Sequence, residues 1–182
     1  LDSNRGVVYS NYRSGSNNRI IAYHSWDDFK DADRNTNAPN IILTGSLDGN
    51  VSAIKVSPHT TDSSTIFVGT EAGSVFKVTN ADTADANENS TANWSNITGG
   101  QFLGSVSDIE LGKDENHIFV TFHNYGVENV FYSEDGGQSW TEKEGNLPDI
   151  PVRCVLQNPL SENEVIIGTE LGVWYTKNFD SD

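Results

Sequence analysis

Carboxyl groups dominate the chemistry open to this chain, which carries 26 Asp and Glu against 11 Lys and Arg. Asp48, Glu128 and Asp149 are of the type that cleaves glycosidic bonds, a reaction needing two carboxyl groups about 5–10 Å apart across the bond. Sequence spacing leaves their separation open. Tyr12, Arg13, Asp48, His123 and Tyr125 combine aromatic faces with hydrogen-bonding tips, the mixture that recognition of sugars uses. Asp31, Asp33 and Asn35 have the spacing that opens a calcium-binding loop. However, Thr36 stands where that loop needs Gly, and Ile42 where it needs a bidentate acid. A solvated acidic turn is the stronger expectation there, with Ca²⁺ the only cofactor suggested. His24, His59, His117 and His123 lack zinc spacing, and no Ser/His/Asp or Cys/His nucleophile motif stands out.

The formal net charge of −15 over 182 residues repels phosphate backbones and anionic lipid surfaces, so neither nucleic acid nor polybasic membrane attachment is expected. No apolar run approaches the length of a transmembrane helix. Cys154, the sole cysteine, lies in the apolar stretch Val152-Arg153-Cys154-Val155-Leu156 and is expected to be a buried, inert thiol. The chain opens on Leu1 and holds no Met, so the expectation is a piece of a larger protein. Sequons at Asn50, Asn89, Asn93 and Asn96 carry glycans only in a eukaryotic secretory setting.

These groups must be positioned by short strands, because one unit repeats along the chain. Val51-Ser52-Ala53-Ile54, Val106-Ser107-Asp108-Ile109 and Val152-Arg153-Cys154-Val155 open equivalent units, recurring about every 45–55 residues. Ile66-Phe67-Val68-Gly69-Thr70, Ile118-Phe119-Val120-Thr121-Phe122 and Val165-Ile166-Ile167-Gly168-Thr169 follow as nearly continuous apolar runs, as a strand buried on both faces requires. Third strands come next at Val75–Val78, Val130–Ser133 and Val173–Thr176. Fourth strands begin near Trp94 and Trp140. Upstream, Val7–Ser10, Arg19–His24 and Ile41–Thr44 fit strands two to four of an earlier unit. The organisation predicted is all-β: four-stranded antiparallel blades, about three blades of an incomplete ring. Its boundaries are 1–50 (partial), 51–105, 106–151 and 152–182 (truncated), within one domain. Such a piece is expected to need missing blades, or another subunit, to cover its flat apolar faces.

Behind the third strand at Val130 runs Ser133-Glu134-Asp135-Gly136-Gly137-Gln138-Ser139-Trp140, a pattern S-x-D-G-G-x-S-W. Gly136 and Gly137 supply the positive φ angles of a tight turn, and Asp135 can accept backbone N–H groups as Asx-turns do. Ser133 and Ser139 are expected to bridge the strands and Trp140 to fill the space between blades. Degenerate copies carry Asn80 and Asn178 in place of Asp135, and Trp26 stands in an eroded one. The motif resembles the Asp-box (BNR repeat) of sialidase-like and sortilin-like β-propellers. With Gly145–Val152, Asn158-Pro159 and Gly168–Val173 the chain is similar to secreted bacterial members.

The resemblance implies a secreted or cell-surface location and places the boxes opposite the ligand face, so Asp135 is expected to be structural. It directs attention to the loops between second and third strands and between blades, where Tyr12, Arg13, Asp48, His123 and Tyr125 lie. The loop at His123 departs from the Gly-Thr-Glu of its siblings, which end at Glu71 and Glu170. Few arginines are present, whereas sialic acid recognition needs a cluster. The leading expectation is a non-catalytic module for glycan or protein binding or assembly. The alternative is a sialidase-like or xyloglucanase-like glycoside hydrolase with part of its site outside this chain.

Overall fold

The computed structural model describes residues 1–14, 17–23, 41–43, 45, 47–84 and 90–181, and only the backbone of 13, 14, 17 and 181. Among the described residues, fourteen strands form four sheets, every neighbouring pair antiparallel. The first sheet joins β1 (Val8–Ser14), β2 (Asn17–Tyr23) and β3 (Ile41–Leu43). The second joins β4 (Val51–Val56), β5 (Ile66–Thr70), β6 (Val75–Thr79) and β7 (Asn93–Asn96). The third joins β8 (Val106–Leu111), β9 (Ile118–Phe122), β10 (Val130–Ser133) and β11 (Thr141–Glu142). The fourth joins β12 (Val152–Asn158), β13 (Ser161–Thr169) and β14 (Gly172–Thr176), followed by a short 3-10 turn at Phe179–Ser181. The described residues form no α-helix, as the absence of helical periodicity predicts.

The sheets stack because their middle strands are apolar on both faces. Every residue of β5 and β9 is buried. Successive side chains of a strand point to opposite faces, so Ile66 and Val68 join Ile20 and Leu43 in one core while Phe67 joins Val106 and Ile109 in the next. The same alternation sends Ile118, Val120 and Phe122 towards the second sheet and Phe119 towards Val155 and Ile167 of the fourth. A register shift falls at Val51/Ala53, Val106/Asp108 and Val152/Cys154. An equivalent bulge in the first strand of the second, third and fourth sheets adds the same local bend to each of the three.

Polar contacts fasten the margins of these interfaces. Arg5 pairs with Asp82, and Ser64 Oγ donates to Asp2 Oδ2 at 2.6 Å, between the first two units. Lys55 pairs with Glu110 and Lys77 with Glu115 (2.8 Å) between the second and third sheets. The Val155 N–H donates to Asp108 Oδ2 (3.1 Å) and Ser107 Oγ to the Val152 carbonyl (2.7 Å) between the third and fourth. Burial raises the Asp108 carboxyl above its ordinary range, against the N–H donors of Val155 and Ile109.

Cys154 is exposed, contrary to the expectation of a buried thiol. It lies opposite Gly168, which lies opposite Val173, and Leu156 faces Ile166 and Tyr175 in the same way. This row occupies the register of Phe67/Val75 and Phe119/Val130, which the following sheet covers. Among the described residues nothing covers this face of the fourth sheet, so Val173 and Tyr175 are exposed. Phe119→Ala is expected to cost about 3–5 kcal/mol, as deletion of a buried aromatic does. Tyr175→Ala should stay within about 0.5 kcal/mol, as at exposed positions. Urea unfolding of the two variants checks the contrast.

Candidate functional site

The antiparallel order gives the stack two ends. The lower end holds the β10–β11 turn, and the upper end holds the β5–β6, β9–β10 and β13–β14 turns with the connections between sheets.

At the lower end, Ser133–Trp140 closes on itself. Ser133 Oγ and Ser139 N–H each reach Asp135 Oδ1 at 2.9 Å, and Ser139 Oγ donates to Oδ2 at 2.6 Å. The Gly137 N–H donates to Ser133 Oγ (2.8 Å). Both serines thus bond within the turn rather than across strands. The donors, Ser139 first, hold the Asp135 carboxyl down at about 2. Gly136 and Gly137 have φ of 74° and 89°, and a Cβ on Gly137 would meet Ile97 at 2.7 Å, so neither strain nor space admits a side chain. Trp140 Nε1–H donates to the Ile97 carbonyl of the preceding connection (2.9 Å), and its ring packs on Phe102. Asn80 takes a left-handed φ of 54° at the corresponding corner of the second sheet, a conformation Asn tolerates. With its lone pairs committed, Asp135 has the geometry of a turn carboxylate.

The upper end divides the five expected ligand residues between two places. Tyr12 lines a cavity of about 290 Å³ with Arg19, Asn50 and Glu71. Only the backbone of Arg13 is described, opposite Asn18. Asp48 accepts from Thr70 Oγ1 (3.2 Å) and from Ser74 Oγ, which ties the β3–β4 connection to the β5–β6 turn. His123 and Tyr125 lie two sheets further on. Asp31, Asp33 and Asn35 fall outside the described residues, as does Trp26.

A polar grouping lies beside Tyr125. Tyr125, exposed, donates its hydroxyl to Glu170 Oε2 at 2.8 Å, and Arg153 pairs with the other oxygen of Glu170. These two donors, Tyr125 first, lower the Glu170 carboxyl, and His123 adds to the effect. The Gly126 N–H donates to Asp149 Oδ1 at 2.7 Å, fixing the start of the long β9–β10 loop on the following connection. The end of that loop brings Glu128 to Glu142 and Glu144, with one oxygen of each within 4.8 Å of the others. Asp149, Gly126 and these three glutamates line an open depression of about 400 Å³.

Glu144 is half-buried and accepts the Asn129 N–H at 3.0 Å. Burial and the neighbouring Glu128 carboxyl push it up to about 7. Like charges this close disfavour double ionisation, which adds to burial in raising the Glu144 carboxyl. Three carboxylates in reach of one point also match the donor set of a hard cation such as Ca²⁺.

Sequence reasoning placed Glu128 and Asp149 among candidate acids but missed Glu142, Glu144 and the Arg153–Glu170 pair. The only available signal was the Glu-x-Glu alternation at 142 and 144. What joins it to Glu128 is the pairing of Phe131 with Glu142, a register invisible before folding.

No protein-family model matches the chain, and no curated protein matches it. Among solved structures, the chain is similar to the GH74 xyloglucanase from Xanthomonas campestris, with 12% identity and a TM-score of 0.59 over 93% of this chain and 27% of that one. The GH74 enzyme of Niastella koreensis gives 16% and 0.60 over 92% and 24%. YCF48 from Cyanidioschyzon merolae gives 16% and 0.55 over 97% and 52%. The fold is a β-propeller. At these identities the likeness shows architecture alone, and this chain spans about a quarter of the two GH74 structures and about half of YCF48. No helix among the described residues of the propeller is long and apolar enough to cross a membrane.

Two outcomes follow. Asp135→Ala should lower the thermal midpoint, with Asp135→Asn losing less. Since the folded carboxyl is depressed, its contribution is present above pH about 4 and lost as pH falls towards about 2. Glu144 has the opposite sign. Its raised carboxyl favours the fold below about 4.5, and that contribution is lost as pH rises through about 7. Glu144→Gln should therefore raise the midpoint at pH 8 and flatten its pH dependence between about 4.5 and 7, measured by thermal melts across that range.

Proposed function

We propose that this chain is part of a non-catalytic, extracellular β-propeller module that binds glycan through the upper loops of its third and fourth sheets. The observation that carries the reading is the juxtaposition of an exposed Tyr125 ring with the polar groups of Glu170, Arg153 and Asp149 on rigidly anchored loops. An aromatic face beside fixed hydrogen-bonding groups matches the alternation of apolar ring faces and hydroxyl rims in a sugar. The GH74 likeness supports a carbohydrate-related role, because the Xanthomonas campestris structure is that of a xyloglucanase. The acidic surface favours neutral polysaccharides over anionic ones. A secreted or cell-surface location accompanies this reading.

A non-catalytic role is favoured over hydrolysis by the carboxylates themselves. The Glu128, Glu142 and Glu144 oxygens cluster within 4.8 Å and share a depression open to solvent. Glycosidases hold their two carboxyl groups about 5–5.5 Å apart or about 6.5–9.5 Å apart, with the sugar between them. The alternative, a glycoside hydrolase whose second carboxylate comes from outside this chain, draws support from the elevated Glu144, which at neutral pH is part-protonated as a general acid must be.

Affinity electrophoresis in gels containing xyloglucan, β-glucan or mannan tests the reading. Retardation by at least one neutral polysaccharide is expected, with Tyr125→Ala weakening it about tenfold, as loss of a stacking aromatic would. No release of reducing ends is expected. Release that Glu144→Gln abolishes would instead establish the hydrolase. Equal mobility in all gels with and without Tyr125 would dispose of the glycan assignment.

A further inference from the structure

The upper end of the third sheet gathers carboxyl groups that no basic side chain balances. Glu128 stands near the end of the β9–β10 loop, and Glu142 and Glu144 at and just beyond β11, with one oxygen of each within 4.8 Å of the others. Asp149 lines the same open depression. None of these four carboxyls forms an ion pair among the described residues, whereas Glu110, Glu115, Glu162 and Glu170 each have one.

A second, independent feature adjoins them. Asn129 is buried, and its side-chain Oδ1 has no hydrogen-bond partner. The amide is nevertheless held firmly: Nδ2 donates to the Val127 carbonyl at 2.9 Å, and the backbone N–H donates to Glu144 Oε2 at 3.0 Å. Val127 and Glu144 both line the depression. Phe131 pairs with Glu142, and two residues further along this antiparallel register Asn129 stands opposite Glu144. Side-chain alternation then puts Asn129 and Glu144 on the face that carries Glu142. The orphaned oxygen is thus turned to the carboxylate side of the sheet. Leaving a buried acceptor unsatisfied is costly, and the neighbouring carboxylates are acceptors too. A cation satisfies all of them at once.

We propose that Glu128, Glu142, Glu144 and the Asn129 Oδ1 form a Ca²⁺ site, with solvent from the open depression filling the remaining positions. The donors are all oxygen, which suits a hard cation and neither zinc nor copper. Ca²⁺ holds its ligands at about 2.3–2.6 Å, so oxygens on opposite sides of one ion stand about 4.6–5.2 Å apart, a span that accommodates the three glutamates. Its irregular coordination tolerates ligands drawn from a loop and a strand end, where Mg²⁺ demands a near-ideal octahedron and gives up its water reluctantly. The bound ion ties the β9–β10 loop to the end of β11 and so steadies the loop from which Tyr125 projects. This site is distinct from the calcium loop suggested by the spacing of Asp31, Asp33 and Asn35.

Isothermal titration calorimetry of the chelator-treated 182-residue chain with CaCl₂ tests the assignment, and its readout does not involve glycan. One saturable site is expected, with a dissociation constant between about 10 μM and 1 mM, and MgCl₂ should bind at least about tenfold more weakly. Glu128→Gln and Glu142→Gln, both at exposed positions, should each weaken Ca²⁺ binding at least about tenfold. Glu134→Gln removes the same charge from an exposed position at the lower end and should leave binding unchanged. CaCl₂ should raise the thermal midpoint of the parent chain but not of the Glu128→Gln or Glu142→Gln variants, and should slow hydrogen exchange over residues 126–129 and 142–145. Asn129→Ala should weaken binding as well; an unchanged affinity would remove Asn129 from the ligand set. The proposal fails if no saturation is seen below about 10 mM CaCl₂, if Glu134→Gln weakens binding as much as Glu128→Gln, or if protection falls on other segments. If Asn129→Ala unfolds the chain, the exposed glutamate variants and the exchange map decide alone.

Discussion

Burial of both faces of the middle strands is the constraint on which the rest of this structure depends. Phe67 and Phe119 each leave their own sheet to pack on the next, while their neighbours Val68 and Val120 pack on the one before. A sheet apolar on both sides cannot satisfy itself, because either face alone in water would forfeit roughly 25 cal/mol for every Å² of apolar surface left uncovered. Neighbouring sheets are therefore part of each sheet's folding. The repeated bulge, the short fourth strands and the ion pairs at the margins all serve that stacking geometry. The two β-propeller sheets with neighbours on both sides are the complete ones, and the fourth, uncovered on one side, carries its apolar side chains in solvent.

The two ends of the stack differ in how their polar groups are satisfied. At the lower end, Asp135 finds its donors within a few residues, so the turn is saturated locally and has little capacity left for a ligand. At the upper end, the loops gather Glu128, Glu142 and Glu144 against one another, and burial together with the nearby Glu128 raises the Glu144 carboxyl. Such strained electrostatics survive only because strands pinned by the core hold the loops in place. That contrast, more than any single residue, separates scaffold from candidate site.

Much of the architecture was legible before folding, and the reasons lie in particular residues. Ile66–Thr70 and Ile118–Phe122 are too short and too uniformly apolar for an amphipathic helix, and their recurrence shows that one unit is reused. Gly136-Gly137 behind a strand demands a corner. The candidate site was only partly legible. Asp48, chosen as a ligand group, is held by Thr70 and Ser74, because a loop carboxylate takes the nearest hydroxyl donors. Glu170 was recognised as a repeated residue, but its bond to Tyr125 spans 45 positions and crosses between sheets. Cys154 shows the same limit. Its apolar sequence context says what kind of surface it belongs to, and only the neighbouring sheet decides whether that surface is covered.

The amino-acid order alone determined the strand period, the corners and the repeat, since these follow from interactions a few residues long: side-chain alternation, positive-φ glycines and local hydrogen bonding. Tertiary structure decided which carboxylates meet, which aromatic rings find a seat and which apolar face stays open. Those outcomes depend on register between distant strands and on the order in which sheets stack, and sheet packing sets them cooperatively over distances that no local pattern encodes.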